Sequence, residues 1–341
     1  MLRPSILCPV DFSDASRGAL RFAATVAEHF YARLVVAHVE DSLIARPVAD
    51  ALYGQGESER QIEQELRRFV TDTFQRRQPT VAELHLEVAT GKPAFEILRL
   101  AFEENADLIV MSTHGRTGLP KIVFGSTTER VLRETLVPIL VTPAGDPGPM
   151  EIEDLKRGFR GVLAPVDLSA FSRQQTGIAH GLANALNTTL TLLHVVEPLG
   201  LSTGPNAVAP AIAEQRKQLA REGLGALAQT HGGEPAPEVI LAEGDVAAEI
   251  AKLADIRAFG AIVMGLHAGE DFRPRMGSVT YRVLCHCAAP VLALPPAMPR
   301  IAPERGQGWT REQHASRGIG EPFRRDVYEI RSDVQQLHVS E

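Results

Sequence analysis

The chain is poor in cysteine, has no basic excess and has no long apolar run. Its 341 residues include 3 Cys. That is too few for a disulfide scaffold and fits a reducing compartment. Lys and Arg number 35 against 42 Asp and Glu, a formal charge of -7. A dedicated nucleic-acid binder needs a basic footprint that this balance does not supply. A small anionic ligand is still allowed, because helix termini hold phosphate even on an acidic protein. No apolar run reaches the ~18 residues of a spanning helix, so no membrane segment is expected. The start, MLRPSILCPVDFSD, has one Arg and a short apolar run meeting Asp11, which does not read as a signal peptide. A Walker loop, Gly-x-x-x-x-Gly-Lys-Ser/Thr, is missing as well. The expectation is a cytoplasmic, water-soluble protein. Its 44% apolar and 23% charged residues are ordinary for that class. At about 150 residues per domain, two domains are expected.

What is present is a repeat. Ile6-Leu7-Cys8-Pro9-Val10-Asp11-Phe12-Ser13 matches Val162-Leu163-Ala164-Pro165-Val166-Asp167-Leu168-Ser169. Leu34 to Val39 matches Leu190 to Val195, and Leu108 to Met111 matches Ala261 to Met264. Gly125 to Leu132 matches Gly277 to Leu284, and Val137 to Pro143 matches Ala289 to Pro295. Five blocks in one order, with small drifts in offset, indicate a tandem duplication of a domain-sized unit. Unit 1 is expected over residues 1–144 and unit 2 over 158–296, joined by a turn-rich, linker-like stretch beginning Ala144-Gly145-Asp146-Pro147-Gly148-Pro149. Residues 297–341 read as a tail with one short helix, marked by Val327, Ile330, Val334 and Leu337.

Strands and helices alternate within each unit. In unit 1, short apolar runs near residues 5–10, 34–39, 84–89, 108–111 and 138–141 predict strands. Helical stripes predict helices over 14–30, 57–74, 93–104 and 126–135. Continuous apolar strands separated by helices imply a parallel sheet covered on both faces. Each unit is therefore expected to be α/β, a doubly wound five-stranded domain of Rossmann-like type. Ligands in such sheets bind beyond the carboxyl ends of the strands, where strand order switches.

Chemistry-bearing residues gather at those ends. Asp11 follows strand one and could accept hydrogen bonds from an adenine or ribose; its competing role is helix capping, for which Ser13 and Asp14 are nearer. His38 reads as a packed or hydrogen-bonded structural residue. Strand four runs into Met111-Ser112-Thr113-His114-Gly115-Arg116-Thr117-Gly118, and Gly125-Ser126-Thr127-Thr128 then opens a helix. Free amides and hydroxyls at that helix start form a phosphate cradle. The competing reading is a glycine-bearing loop with an ordinary serine cap.

On these residues both units resemble the universal stress protein family, and the resemblance covers nearly everything from residue 3 to 296. The family's nucleotide signature is glycine, two residues, glycine, nine residues, then glycine with Ser or Thr. Unit 1 has Ser112 at the first glycine, Gly115 at the second and Gly125-Ser126 at the close. The resemblance implies the fold just described and, in unit 1, an adenine-nucleotide site. That site would draw on Pro9, Asp11, Ser13, Val39, Met111, Ser112, His114, Gly115, Arg116, Gly118, Gly125, Ser126, Thr127 and Thr128. Carried to unit 2, it names Pro165, Asp167, Val195, Met264, Gly265, Gly277, Ser278, Val279 and Thr280. Unit 2 departs further from the signature. Ala268 stands at the second glycine, only eight residues precede Gly277-Ser278, and Glu270 and Asp271 add negative charge.

The implied cofactor is ATP, AMP or another adenine nucleotide, with or without magnesium. No catalytic residue is assigned; His114 is the nearest candidate base. The implied role is regulatory stress sensing, with a nucleotide-independent interaction scaffold as the alternative and slow ATP hydrolysis as a weaker one. The last strands of two units commonly pair in this family, so an intrachain pseudo-dimer is expected; a homodimer and an unidentified protein partner stay open. The strand-one turn Asp11-Phe12-Ser13-Asp14 lacks the glycine of related ATP-pyrophosphatase-type loops. Cys285-His286-Cys287 reads as packed thiols rather than a metal site, since adjacent helical residues face different ways.

Overall fold

The structure, a computed structural model, describes residues 3–41, 57–75, 77–113, 125–158, 160–198, 208–230, 236–268, 274–275 and 277–296. Unit 1 comprises β1 (Ser5–Val10), α1 (Asp14–His29), β2 (Arg33–Asp41), α2 (Glu57–Thr73), β3 (Glu83–Gly91), α3 (Pro93–Glu103), β4 (Leu108–Ser112), α4 (Ser126–Glu134) and β5 (Ile139–Thr142). A short helix, α5 (Ile152–Gly158), precedes unit 2. Unit 2 comprises β6 (Val162–Pro165), α6 (Ser172–Ala185), β7 (Leu190–Val196), α7 (Val208–Gln229), β8 (Glu238–Glu243), α8 (Val246–Arg257) and β9 (Ala261–Gly265). The two-residue strands β10 (His267–Ala268) and β11 (Pro274–Arg275) follow, then α9 (Ser278–His286) and β12 (Val291–Leu294). The expected elements of unit 1 are all present, with ends displaced by a residue or two. The predicted tail helix lies outside the described residues.

Local sequence explains the elements. Leu34-Val35-Val36-Ala37 is buried on both faces of β2, which is why it reads as a continuous apolar run. On α1, Ala19, Leu20, Phe22, Ala23 and Ala27 are buried and form its sheet-facing stripe. Ser13 caps α1, its Oγ accepting from the Ser16 amide at 3.1 Å. Pro93 opens α3, where its missing N–H costs nothing.

Ten of the strands form one sheet in the order β3-β2-β1-β4-β5-β12-β9-β6-β7-β8, and β10 and β11 pair antiparallel in a separate two-stranded sheet. Within the large sheet, pairing is parallel inside each unit. It is antiparallel at the junction, where Val141, Leu140 and Ile139 of β5 lie opposite Val291, Leu292 and Ala293 of β12. The two last strands thus pair within one chain. Over one face a single core joins Leu7, Ile109 and Val131 of unit 1 to Leu163, Ile262 and Val283 of unit 2. The other face keeps two separate cores, one under α1 and α2 and one under α6 and α7.

The stretch between the units is turn-rich, but it is not a free connector. Arg21 donates to the Pro147 carbonyl at 2.9 Å, and Thr25 to the Pro149 carbonyl at 3.3 Å. Gly148, at φ +75°, lies against Gly18, and a Cβ on Gly18 would sit 2.1 Å from the Asp146 carbonyl oxygen. Arg77 pairs with Glu28 at 2.6 Å and also reaches the Met150 carbonyl at 3.3 Å. The linker's composition gives no sign of this docking. It is written into α1, whose glycine at 18 lets another backbone approach closely.

Candidate functional site

In each unit the five strands of the large sheet run in the order 3-2-1-4-5, so the switch point lies between the first and fourth strands. There β1 and β4 pair only through Ile6↔Leu108 and Leu7↔Ile109. In unit 2, β6 and β9 pair only through Val162↔Ala261 and Leu163↔Ile262. Beyond those pairs the strands are no longer paired with each other, and in open α/β sheets this is where a ligand crevice is expected, outside the carboxyl ends.

Unit 1 brings several sequence-predicted residues to this crevice. Asp11 is the first residue past β1 and is partly buried. Its Oδ1 accepts from the Ser13 amide at 3.2 Å and from Ser13 Oγ at 2.5 Å. Asp11 is therefore not the helix cap but the residue that aims the cap, Ser13. Between them Phe12 takes φ 63° and stacks its ring on His38, centroids 4.2 Å apart. His38 is buried and its Nδ1 lies 2.9 Å from the Val10 carbonyl oxygen, so Nδ1 carries the proton. Burial holds the His38 pKa below the ordinary histidine value, outweighing that bond and nearby carboxylates. His38 is a structural group, as its sequence context suggested. Pro9 lies one residue before the end of β1, and Val39 sits towards the end of β2 with its side chain partly buried.

The fourth strand supplies the other wall. Met111 and Ser112 end β4, both buried. Thr113 continues it by one bond, its amide donating to the Thr142 carbonyl at 2.9 Å. The Gly125 amide then donates to the Thr113 carbonyl at 2.9 Å, which pins the start of α4 to the end of β4. Gly125 is the N-cap and makes no side-chain cap bond. The first-turn amides of α4 thus face outward with the positive end of the helix dipole. Ser126 is exposed and Thr127 partly so. Thr128 differs from the expectation: it is buried and its Oγ1 donates to the Ser112 carbonyl at 3.0 Å, so its hydroxyl ties the first turn of α4 to the end of β4. His114, Gly115, Arg116 and Gly118 lie outside the described residues.

Unit 2 repeats the scaffold with other side chains. Leu168 takes φ 62° where Phe12 takes 63°, and His194 Nδ1 lies 2.8 Å from the Val166 carbonyl oxygen. Asp167 is exposed, and its Oδ1 accepts from the Ser169 amide and from Ser172 Oγ, both at 2.9 Å. Pro165 ends β6, Val195 and Met264 are buried strand residues, and Gly277 caps α9 without a side-chain bond. Ser278 is exposed and Val279 partly buried. Thr280, the counterpart of Thr128, is buried, and its Oγ1 has no hydrogen-bond partner among the described residues. Gly269, Glu270, Asp271 and Arg273 lie outside the described residues.

Two residues at this crevice were not singled out from sequence. Gln175, 4% exposed, donates from Nε2 to the Pro165 carbonyl at 2.6 Å and the Val263 carbonyl at 2.9 Å. Phe171 lays its ring against Gly265, where a Cβ would meet ring carbons at 2.8 and 2.9 Å. At the repeat offset their unit 1 counterparts are Ala15 and Ala19. The signal was available in the alignment, but it lies just past the matching block, where a bulky residue reads as ordinary core.

Of Cys285-His286-Cys287, Cys287 is buried at the end of α9 with its thiol pushed up to about 12 by burial, and burial also raises Cys285. Among the described residues, His85, Glu87 and Glu104 place ligand atoms within 4.8 Å of one another. They already have partners: Glu87 accepts from His85 at 2.9 Å, and Glu104 pairs with Arg33.

The fold defines the class: a tandem doubly wound α/β protein with a glycine-capped helix start at the strand-order switch of each unit. The universal stress protein family profile matches residues 3–143 and 158–295, and the chain belongs to that family. It is 33% identical over 145 residues to universal stress protein MJ0531 of Methanocaldococcus jannaschii, a match covering 41% of this chain and 82% of that protein. It is 29% identical over 150 residues to universal stress protein MJ0577 of the same organism, covering 40% and 92%. Among solved structures, a universal stress protein from Archaeoglobus fulgidus superposes with TM-score 0.56 at 19% identity, covering 85% of this chain and 97% of that one. Among the described residues no helix is long and apolar enough to cross a membrane.

Proposed function

We propose that unit 1 binds ATP or a related adenine nucleotide and serves as a regulatory module in a stress response. The observation that carries this reading is the junction of β4 with α4. The bond from the Gly125 amide to the Thr113 carbonyl, at 2.9 Å, sets an uncapped helix N-terminus directly beside the strand-order switch. Phosphates would meet the first-turn amides and the Ser126 hydroxyl. Base or ribose would lie toward Asp11 and Val39, as the family resemblance implies. Pro9, Ser13, Met111, Ser112 and Thr127 frame this space, and magnesium is a possible companion of the phosphates.

The antiparallel β5–β12 pairing favours a second reading, a nucleotide-independent scaffold that presents two units in fixed relation. Denaturing the purified protein and identifying any released nucleotide by chromatography and mass spectrometry separates the two. An adenine nucleotide in the supernatant, or binding of added ATP with magnesium, supports the first. An empty protein that also fails to bind added ATP with magnesium overturns it and leaves the scaffold.

A further inference from the structure

The two crevices are built on the same backbone plan, yet one of them is filled by its own chain. Past the Leu163↔Ile262 pair, β6 and β9 are no longer paired with each other, although Pro165 still pairs with Leu193 and Val263 with Leu292 on their other sides. Gln175 reaches across from α6 and donates to the Pro165 and Val263 carbonyls. Phe171, one helical turn earlier, lies over Gly265 at the end of β9. Gly265 is the residue that matches the first glycine of the nucleotide signature. Here its missing Cβ is what the Phe171 ring occupies. Unit 1 has Ala19 in place of Gln175, Ala15 in place of Phe171, and Ser112 in place of Gly265. Neither alanine can span two strands or cover a strand end.

We propose that Phe171 and Gln175 form an internal plug that stands where a ligand would enter unit 2, so that the chain carries one nucleotide site and one permanently closed copy. The proposal rests on the reading of unit 1 as a nucleotide site, and its test has an arm that does not. Glycine at 265 is then required by Phe171 and not by a ligand. It follows that Gly265→Ala is harmful only while the Phe171 ring is present.

The first arm is a double-mutant cycle on the full chain, read by denaturant unfolding without nucleotide. Gly265→Ala alone should lower the midpoint clearly, and in a Phe171→Ala background the same change should cost less than half as much. Equal cost in both backgrounds overturns the plug, whatever the protein binds. The second arm uses 8-azido-ATP photolabelling with peptide mapping, alongside ATP binding stoichiometry. Labelled peptides should come from unit 1 alone, with one equivalent of ATP bound. Label of similar intensity in peptides of β6, β9 or α9, or a second equivalent, overturns the proposal. Phe171→Ala/Gln175→Ala should leave the unit 1 affinity within about twofold. Carrying the plug into unit 1 as Ala15→Phe/Ala19→Gln should weaken ATP binding at least about tenfold. Ala19→Gln alone, the milder change, stands in if the double variant does not fold, and unaltered ATP affinity in a folded variant counts against the plug. A wild-type chain that binds no ATP sinks the reading of unit 1, while the cycle still decides whether Phe171 and Gly265 are coupled.

Discussion

Units 1 and 2 are alike where the backbone is constrained and unlike where a ligand would sit. Both turn after their first strand through a non-glycine residue at positive φ, Phe12 at 63° and Leu168 at 62°. Both tie a histidine of the second strand to the carbonyl just before the strand-end aspartate, at 2.9 and 2.8 Å. The helix that follows then begins differently. In unit 1 it starts at Asp14 under a serine cap; in unit 2 it starts at Ser172, and Phe171 and Gln175 turn inward. A duplicated fold can thus keep its strand-end scaffold while a few side chains decide whether the crevice stays open.

The largest effect that would break this comparison is expected from charge at the α4 terminus. Ser126→Asp puts a carboxylate beside the first-turn amides, where the helix dipole favours it. Folding should be unchanged or slightly improved, while ATP affinity should fall by at least about tenfold, since the carboxylate competes with phosphate for the same donors. The matching Ser278→Asp in unit 2 should leave ATP binding unchanged. Isothermal titration of the two variants checks the pair, and equal losses would erase the distinction between units.

A second large effect concerns stability. Gly18 faces the linker, and a Cβ there would lie 2.1 Å from the Asp146 oxygen. Its unit 2 counterpart is Gln174, a larger residue. Gly18→Val must push the linker off α1 or strain both. A loss of about 2–4 kcal/mol is expected, from overpacking and from the bonds of Arg21 and Thr25 to the linker. Gln174→Val, which overpacks no glycine, should cost less than Gly18→Val. Guanidinium unfolding of both variants tests this.

A smaller asymmetry lies in the caps. Ser13 satisfies the Ser16 amide at 3.1 Å, whereas Ser169 is exposed and its amide donates to Asp167 at 2.9 Å. Ser13→Ala should cost about 1 kcal/mol, the usual worth of a serine N-cap. Ser169→Ala should cost less than about 0.5 kcal/mol. Midpoints that move equally would show that the hydroxyl is used in both turns.

Much of this fold was legible in the sequence, for a physical reason. Strands buried on both faces need unbroken apolar runs such as Leu34 to Ala37, and helices on a sheet need stripes such as that of α1, so the α/β alternation is written in periodicity. The repeat added topology, because one unit's plan had to serve twice. The site was legible as a place: Asp11, Ser112 and Gly125-Ser126 all fall at the switch. Individual roles were less so. Thr128 looked like a phosphate ligand because hydroxyls at a helix start usually face out; here a carbonyl of the preceding strand lies within 3.0 Å and takes the bond. Phe171 and Gln175 escaped notice because filling a crevice is a long-range act. Nothing within α6 shows that Gln175 will span residues as distant in sequence as Pro165 and Val263. The linker's docking was hidden similarly, since its partner groups belong to α1.

The smallest expected effect is a pH dependence seated in the first turn of unit 1. His38 is buried under the Phe12 ring, and its folded-state pKa lies below the ordinary value. Below about pH 6.5 the unfolded chain therefore takes up a proton that the folded chain resists. The stability contribution is complete above that pH and declines as pH falls from the unfolded pKa toward the lower folded one. His29, also lowered chiefly by burial, adds a loss of the same sign. His38→Asn retains a donor for the Val10 carbonyl but does not titrate. The drop in unfolding free energy between pH 7.5 and pH 5 should therefore be smaller in His38→Asn than in the wild type. His29→Asn should show a similar or lesser reduction, and His38→Asn/His29→Asn the sum of the two. A wild-type acid loss that survives in the double variant would place the proton uptake elsewhere and remove the Phe12–His38 pair as a pH-sensitive feature of unit 1.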